Sequence, residues 1–151
     1  MDAGQSDIVL RPIGRVSNGL KEPPSPRREW ERTVSDIVIN PELEEALEGI
    51  EEFSHIIVLF WLHRQVGVEV PLKQHARHHP GNPRRGLFAL RSPIRPNPIG
   101  KTTVRLLRRR GNTLTVEGLD ALDGSPVLDI KPYLPGYDAP PDATAPGWIT
   151  A

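Results

Sequence analysis

Proline and glycine most constrain how this chain can fold, since 17 of its 151 residues are proline and 13 are glycine. Proline fixes φ and removes a backbone hydrogen-bond donor, so it interrupts helices and is excluded from the interior of a sheet. Turn-forming residues at this density predict short strands, many turns and little helix. We therefore predict a mainly β fold, a small antiparallel β-barrel with one or two short helices.

Length and composition indicate one domain. A chain of 151 residues fits a single core, so residues 1–151 are predicted to form one barrel domain. No apolar run approaches the roughly 20 residues that cross a bilayer, and no signal peptide is visible. The absence of cysteine excludes disulfides, thiolate nucleophiles and cysteine-ligated zinc. It also fits a reducing compartment, and we expect a cytoplasmic protein.

Hydrophobic alternation and turn residues predict the individual elements. The predicted strands are residues 8–16, 33–39, 54–62, 87–90, 101–109, 113–118 and 127–130, with 54–62 as the central buried strand. Asn40 is predicted to cap a helix over Pro41–Leu47, which ends at Gly49. Residues 21–32 and 65–85 are predicted to be irregular loops, and the C-terminal residues to drape over the domain or fray.

Residues 86–101, GLFALRSPIRPNPIGK, form a stiff loop that carries polar side chains. Its three prolines remove conformational entropy before any ligand arrives, which suits a binding loop. Arg91, Arg95 and Asn97 are its candidate binding residues. The alternative is a rigid connection between two strands.

The net charge of zero hides a strong segregation of charge along the chain. Between residues 64 and 110 there are 12 basic residues and one acidic residue, Glu69, whereas both flanking segments are acidic. A basic segment of this kind predicts a surface that binds nucleic acid or phosphate. The alternative is that the flanking acidic residues neutralise these cations in the folded protein.

A histidine cluster is the one pattern that suggests a metal. His75, His78 and His79 could coordinate an ion, because histidine is the commonest protein ligand for metals. Their loop gives no fixed geometry, however, and Glu69 is the only acidic residue of that segment. We predict no metal site.

Polar residues near the ends of predicted strands are candidates to line a pocket. They are His63 and Arg64 after the central strand, Asp120 and Asp123 before the last strand, and Lys131 and Tyr133 after it. The two aspartates allow three interpretations: catalytic carboxylates, acceptors for backbone N–H groups of a turn, or acceptors for ribose hydroxyls. For His63 and Arg64, the alternative is that the strand simply reaches solvent there.

Four segments together carry a family resemblance. GLFALRSPIRPNPIG, DGSPVLDIKPYLP, EEFSHIIVLFWLHR and PIGRV resemble the signature segments of the TrmO-type family (TsaA-like, YaeB) in its short form, without an additional C-terminal domain. The resemblance covers residues 8–137. It implies an S-adenosylmethionine-dependent tRNA methyltransferase built on a small β-barrel unlike the Rossmann-type enzymes. It also implies a homodimer, with the cofactor near the subunit interface, that methylates N6 of threonylcarbamoyladenosine next to the tRNA anticodon.

The resemblance also implies which residues bind the cofactor S-adenosyl-L-methionine. They are Pro26, Arg27 and Arg28 in the early loop, His63 and Arg64 after the central strand, Arg91 and Thr103 around the proline loop, and Asp120, Ala121, Leu122 and Asp123 before the last strand. This chain departs from the family pattern at Leu90, Thr103 and Ser125.

The residues that bind the methyl acceptor are our own hypothesis. We expect Arg95, Asn97, Lys131 and Tyr133 to hold the modified base, with Arg91 facing the cofactor and Arg95 facing a carboxylate or phosphate of the substrate. tRNA, through its anticodon loop, is the expected partner. Two alternatives are a non-catalytic nucleotide- or RNA-binding barrel, and a methyltransferase that acts on another small substrate.

Overall fold

A computed structural model describes residues 6–149 as a closed antiparallel barrel with a short two-stranded ribbon beside it. The eight strands are β1 (Gly14–Ser17), β2 (Val34–Ile39), β3 (His55–Trp61), β4 (Lys73–His75), β5 (Arg84–Gly86), β6 (Ile99–Arg110), β7 (Thr113–Glu117) and β8 (Pro126–Pro132). The barrel order is β1-β2-β7-β6-β3-β8, and β8 pairs with β1 to close it. The ribbon consists of β4 and β5. The predicted fold class is confirmed.

Helices are short in the described part of the chain. One α-helix, α1, spans Pro135–Asp138. The 3₁₀ helices are Arg27–Arg32, Pro41–Leu47, Ile50–Glu52, His63–Gln65, Ala76–His78, Leu87–Ala89 and Gly147–Ile149. Across residues 6–149, no helix has the length and apolar character needed to cross a membrane.

Alternation along the strands fills the interior of the barrel. Ile56, Val58 and Phe60 of β3 are buried, and so are Ile37 and Ile39 of β2. Successive side chains of a strand point to opposite sides of a sheet, so residues spaced by two share the interior. The hairpin of β6 and β7, predicted from the turn at Gly111, pairs Arg110 with Thr113. These sequence expectations are confirmed.

The first strand is shorter than predicted. Residues 8–16 were expected to be extended and paired, but β1 begins only at Gly14. Ile8, Val9 and Leu10 are exposed by 88%, 76% and 51%. Pro12 has no N–H to donate to a neighbouring strand, so regular pairing starts after it.

The expected helix at Pro41–Leu47 is a 3₁₀ helix, and Asn40 does not cap it. The Asn40 side chain instead donates from Nδ2 to the backbone oxygen of Pro12, at 3.1 Å. Only Leu47 of this segment is buried, so there is no apolar stripe wide enough to favour a longer α-helix. Gly49 follows in the left-handed conformation with φ 90°, as its place at the helix end predicts.

Two expectations for the segment before β6 are wrong. Residues 65–85 were predicted to be irregular, but they contain β4 and nearly all of β5. Residues 87–90 were predicted to be a strand, but Leu87–Ala89 is a 3₁₀ turn in which the Leu90 N–H donates to the Leu87 oxygen at 3.1 Å. Leu87 and Leu90 are both buried, a spacing of three that matches the 3₁₀ period and not a strand.

The pairing of β3 with β6 brings Gly100 against the ring of Phe60. The two residues are paired in the register, and a Cβ at position 100 would lie 2.5 Å from a ring carbon of Phe60. Phe60 is only 2% exposed, so its ring has little room to move. Glycine is therefore required here by a close approach between strands.

We expect Gly100→Ala to destabilise the protein by about 1–3 kcal/mol, the usual cost of overpacking a core. Guanidinium unfolding of both proteins measures the change. Gly86→Ala is the matched control, because a Cβ at position 86 meets nothing within 4 Å and should leave stability almost unchanged. Equal stability of Gly100→Ala and the wild type would show that β3 and β6 separate more easily than their register implies.

Candidate functional site

A basic cleft of about 540 Å³ opens at the end of the barrel where β3 ends and β6 begins. This volume lies within the roughly 300–1,000 Å³ typical of small-molecule sites. Four chain segments supply its walls. They are Pro23, Arg27 and Trp30 of the early loop; Phe60, Leu62, His63, Arg64 and Gln65; Arg91, Ser92, Pro93, Arg95, Ile99, Gly100, Lys101 and Thr102; and Asp120, Leu122 and Ser125.

The charge of the cleft favours an anionic ligand group. Five of the lining residues are basic, namely Arg27, Arg64, Arg91, Arg95 and Lys101. Among residues 6–149, Asp120 is the only lining carboxylate. Clustered cations in a recess concentrate the potential there and attract anions. One carboxylate among them provides acceptors for hydroxyl or ammonium groups of the same ligand.

His63 begins the 3₁₀ turn that follows β3, and its ring carries an unsatisfied nitrogen. Within residues 6–149, the buried side-chain nitrogen or oxygen atoms without a hydrogen-bond partner are His63 Nδ1 and Gln74 Oε1. A buried polar atom without a partner costs about 1–3 kcal/mol. His63 lines the cleft, but this nitrogen is itself closed off from solvent, so a ligand could reach it only if the ring changed position.

Arg64 closes the side of the cleft against the early loop. Its guanidinium donates to the backbone oxygen of Lys21 and forms an ion pair with Glu22, with Nη2 and Oε1 3.3 Å apart. Both side chains of the pair are largely exposed, so the pair contributes little stability. Its consequence is positional, because it ties residues 21–22 to the turn after β3.

The two arginines of the proline loop have different roles in the structure. Arg95 Nη1 donates to the backbone oxygens of Leu90, at 2.8 Å, and Ser92, at 3.2 Å, so it braces the loop from within. Arg91 is exposed and has no ion pair within residues 6–149. It lines this cleft and also a second cleft beside it. The split into cofactor-facing Arg91 and substrate-facing Arg95 stays a prediction.

Thr102 and Asp120 form a side-chain pair inside the cleft. The Thr102 hydroxyl donates to Oδ1 of Asp120. The family resemblance pointed to Thr103, which is exposed and lines neither cleft. Val104, the next residue of β6, is buried inside the barrel, and side chains alternate along a strand, so Thr103 points outward.

Asp123 is held by backbone N–H groups outside the cleft. Its Oδ1 accepts from the N–H of Asn18 at 2.9 Å and from that of Gly19 at 3.1 Å. These two hydrogen bonds lower the pKa of the Asp123 carboxyl, against a smaller opposing effect of burial. Asp123 thus fastens the turn at Asn18 to the segment that contains Leu122 and Ser125. Of the three interpretations of the aspartates, the turn acceptor fits Asp123.

The structure brings together only part of the predicted cofactor set. The predicted residues that line the cleft are Arg27, His63, Arg64, Arg91, Asp120 and Leu122. Those that do not are Pro26, Arg28, Thr103, Ala121 and Asp123. Ala121 is a core residue, 1% exposed, and its backbone oxygen accepts from Asn18 Nδ2 at 2.9 Å.

The predicted substrate residues are more scattered. Arg95 lines the cleft, whereas Asn97, Lys131 and Tyr133 do not. Lys131 pairs with Asp129 at 2.9 Å, and the Tyr133 ring meets that of His55 edge-on at 6.4 Å between centroids. His55 begins β3, and the 7 residues of that strand span roughly 20 Å. Tyr133 and the cleft therefore lie towards opposite ends of β3.

Several lining residues were missed by sequence reasoning. They are Pro23, Trp30, Phe60, Leu62, Gln65, Ser92, Pro93, Ile99, Gly100, Lys101, Thr102 and Ser125. Trp30 had a usable signal, because it is a lone aromatic residue in an otherwise polar loop, KEPPSPRREWER. Aromatic residues are rarely left in such loops without a packing or binding role. Phe60 and Leu62 had none, since they read only as core residues of the central strand.

No histidine cluster of metal-site geometry occurs in the described chain. Within residues 6–149, no group of three or more histidine, cysteine, aspartate or glutamate side chains could hold a metal ion. His75 Nδ1 instead lies 2.9 Å from the backbone oxygen of Asn82, and His79 Nδ1 accepts from the N–H of Gly81 at 3.1 Å. These two histidines organise the loop between β4 and β5.

Comparison with known proteins identifies the family. Residues 18–139 match the family model of the tRNA-methyltransferase O N-terminal domain. A probable S-adenosyl-L-methionine-binding protein of Pyrococcus abyssi is 42% identical over 150 residues, which are 94% of this chain and 76% of that protein. A mouse tRNA (adenine(37)-N6)-methyltransferase is 42% identical over 105 residues, which are 70% of this chain and 24% of that protein.

A solved structure agrees with the barrel. The crystal structure of TrmO from Pseudomonas aeruginosa matches with a TM-score of 0.73 and 34% identity, over 92% of this chain and 61% of that one. This chain thus spans less than two thirds of the length of that solved chain. The class of protein is a β-barrel methyltransferase domain. The chain belongs to the tRNA-methyltransferase O family.

The Asp123 anchor predicts a pH-dependent effect of Asp123→Asn. The folded-state pKa is lower than that of the unfolded chain, so the carboxylate stabilises the fold fully above the unfolded-state pKa. That contribution is lost as the pH falls through the folded-state pKa. We expect the variant to be less stable than the wild type at pH 7, with the difference shrinking in the acid range.

Urea unfolding of both proteins between pH 7 and pH 3 measures this difference. The exposed Asp142, which lines neither cleft, provides the control variant Asp142→Asn. A stability difference for Asp123→Asn that stays constant over the whole pH range would contradict the assignment.

Proposed function

We propose that this protein transfers a methyl group from S-adenosylmethionine to N6 of the adenine next to the tRNA anticodon, with threonylcarbamoyladenosine as the acceptor. The observation that carries the proposal is the basic cleft with its single carboxylate, in a chain of this family. The coarser class, an S-adenosylmethionine-dependent methyltransferase, follows from the family itself. A tRNA substrate would place the protein in the cytoplasm.

The lining residues fit the chemistry of S-adenosylmethionine. Its carboxylate suits a guanidinium such as that of Arg91, which has no ion pair within residues 6–149. Its ribose hydroxyls suit Asp120, and its adenine suits the apolar walls of Trp30 and Leu122.

When bound, the cofactor supplies a methyl group on a sulfonium, which is open to attack by a nitrogen. The contribution of the protein is then chiefly positional, which can lower a barrier by ~7–11 kcal/mol in well-oriented reactions. The prolines of the loop that lines the cleft and the two hydrogen bonds donated by Arg95 hold this loop in one conformation. Arg95 would also meet a carboxylate or phosphate of the acceptor.

The acceptor nitrogen must lose a proton during the transfer, and a group that takes it has to be near. Among the lining side chains of one subunit, His63 and Asp120 are of the residue types that act as general bases. Asp120 is already engaged by the Thr102 hydroxyl. Lys131 and Tyr133, towards the opposite end of β3, could contribute only from another subunit. We include in the proposal a homodimer whose two sites each combine residues of both chains.

Methyl transfer to tRNA tests the function directly. Purified protein is incubated with S-adenosylmethionine and tRNA that either contains or lacks threonylcarbamoyladenosine, and the nucleosides are analysed by mass spectrometry. We expect a mass gain of one methyl group on the modified nucleoside alone. Cofactor binding without transfer to either tRNA would favour a non-catalytic barrel or another acceptor.

Arg91→Ala tests the cofactor site by calorimetry. Loss of hydrogen bonds between charged groups should weaken S-adenosylmethionine binding by roughly 10- to 150-fold. Arg110→Ala is the matched control, because Arg110 is an exposed arginine at the other end of β6 and lines neither cleft. Equal affinity of Arg91→Ala and Arg110→Ala would remove Arg91 from the cofactor site.

Subunit mixing tests the composite dimer site. Arg91→Ala and Tyr133→Phe are each expected to be inactive, and their equal mixture should recover about one quarter of wild-type activity, because half of the dimers would then hold one intact site. Exchange of subunits is verified with two differently tagged variants. Verified exchange without recovered activity would place all catalytic residues within one chain.

A further inference from the structure

A second cleft of about 640 Å³ lies beside the first and shares part of its wall. Arg27, Arg91 and the Ser92-Pro93 segment line both clefts. The second cleft is further lined by Arg77 and His78 of the loop between β4 and β5, and by Trp148 near the C-terminus. Within residues 6–149, no acidic side chain lines it. The cleft is therefore a recess with three guanidiniums and one large aromatic ring.

The loop that forms one wall is firmly held. Ala76 is buried, and its backbone oxygen accepts from Asn82 Nδ2 at 2.9 Å, while its N–H donates to the oxygen of Pro83 at 3.2 Å. Arg77 and His78 have φ values of 56° and 54°. The left-handed region is unfavourable for residues with a side chain, and such strain persists only where the surrounding structure imposes it. The strain thus falls on two residues that line the cleft.

The C-terminal segment Gly147–Ile149 forms the opposite wall through contacts with the ribbon. Arg77 Nη2 donates to the backbone oxygen of Ile149 at 3.0 Å, and Arg85 Cζ lies 5.7 Å from the centre of a Trp148 ring. A guanidinium at this distance from an aromatic ring forms a cation–π interaction. The segment lies beyond residues 18–139, which match the family model.

We propose that the second cleft binds one single-stranded nucleotide of the RNA substrate, with its phosphate against the arginines and its base stacked on Trp148. This inference rests on the proposed function, because it takes RNA as the acceptor. Single-stranded nucleic acid is generally bound by a basic groove combined with aromatic stacking surfaces, and this cleft provides both. The shared wall of Arg91 and Pro93 places the bound nucleotide next to the cofactor cleft. The C-terminal segment is then part of the acceptor site.

Direct RNA binding tests the proposal independently of turnover. The probe is a fluorescein-labelled single-stranded RNA of anticodon-loop length, followed by anisotropy with the full-length protein. We expect Trp148→Ala to weaken binding roughly 5- to 150-fold, the range for loss of one base–aromatic stack, and Trp148→Phe to retain most of the affinity. Cofactor affinity, measured by calorimetry, should be unchanged in both variants.

A second variant, Arg77→Asn, removes a cation together with the hydrogen bond to Ile149, and it adds no backbone strain because asparagine tolerates the left-handed conformation. It should weaken RNA binding and reduce the slope of log affinity against log salt concentration by roughly 0.7, the value for one phosphate contact on a single strand. Arg110→Ala, outside both clefts, is the charge-matched control and should change the affinity less. Thermal unfolding confirms that each variant is folded.

The outcomes separate this proposal from the proposed function. RNA affinity that is unchanged in both Trp148→Ala and Arg77→Asn overturns the second cleft as an RNA site, even if the wild type methylates tRNA. Tighter binding by Trp148→Ala also overturns it, since the segment would then obstruct the site instead of forming it. A wild type that binds RNA through Trp148 but transfers no methyl group supports the cleft and contradicts the proposed function.

Discussion

The barrel depends on β3, which pairs with β6 along its whole length on one side and with β8 on the other. The strand β6 can approach β3 closely because Gly100 presents no side chain to the Phe60 ring. The segment after β3 and the segment before β6 therefore emerge side by side, joined where the Leu62 N–H donates to the Pro98 oxygen at 2.7 Å. The basic cleft forms at this junction, so the strand pairing that closes the barrel also positions the site.

The basic middle of the chain serves two different purposes. Some of its cations are structural: Arg109 donates to Glu51 at 2.7 Å and to the Gly111 oxygen at 2.9 Å, and it lowers the pKa of the Glu51 carboxyl. Others, such as Arg91, lack an ion pair within residues 6–149 and face the clefts. Within residues 6–149, the acidic flanks thus pair with two cations of the basic segment, Arg64 and Arg109, and leave Arg91 without an ion pair where the two recesses meet.

Local patterns predicted the barrel strands well and the connections poorly. The hydrophobic run 54–62 predicted the central buried strand, and in β3 Ile56, Val58 and Phe60 are buried because every second residue of a strand points to the same side. The same reasoning failed for Leu87–Ala89, where two buried leucines spaced by three belong to a 3₁₀ turn. The ribbon of β4 and β5 was missed because short polar strands have no hydrophobic period to reveal them.

The fold class, the family and the basic proline loop could be predicted from the sequence, because they follow from proline frequency, strand alternation and contiguous motifs. Which side chains line the cleft together, and which lie next to each other, could be seen only in the folded chain. Thr102 and not Thr103 lines the cleft, Asp123 anchors a turn, and Tyr133 lies beside His55 at the start of β3. Trp148 lies against Arg85 of the ribbon. The reason is that pairing register and chain closure, which set these positions, depend on contacts between residues far apart in sequence.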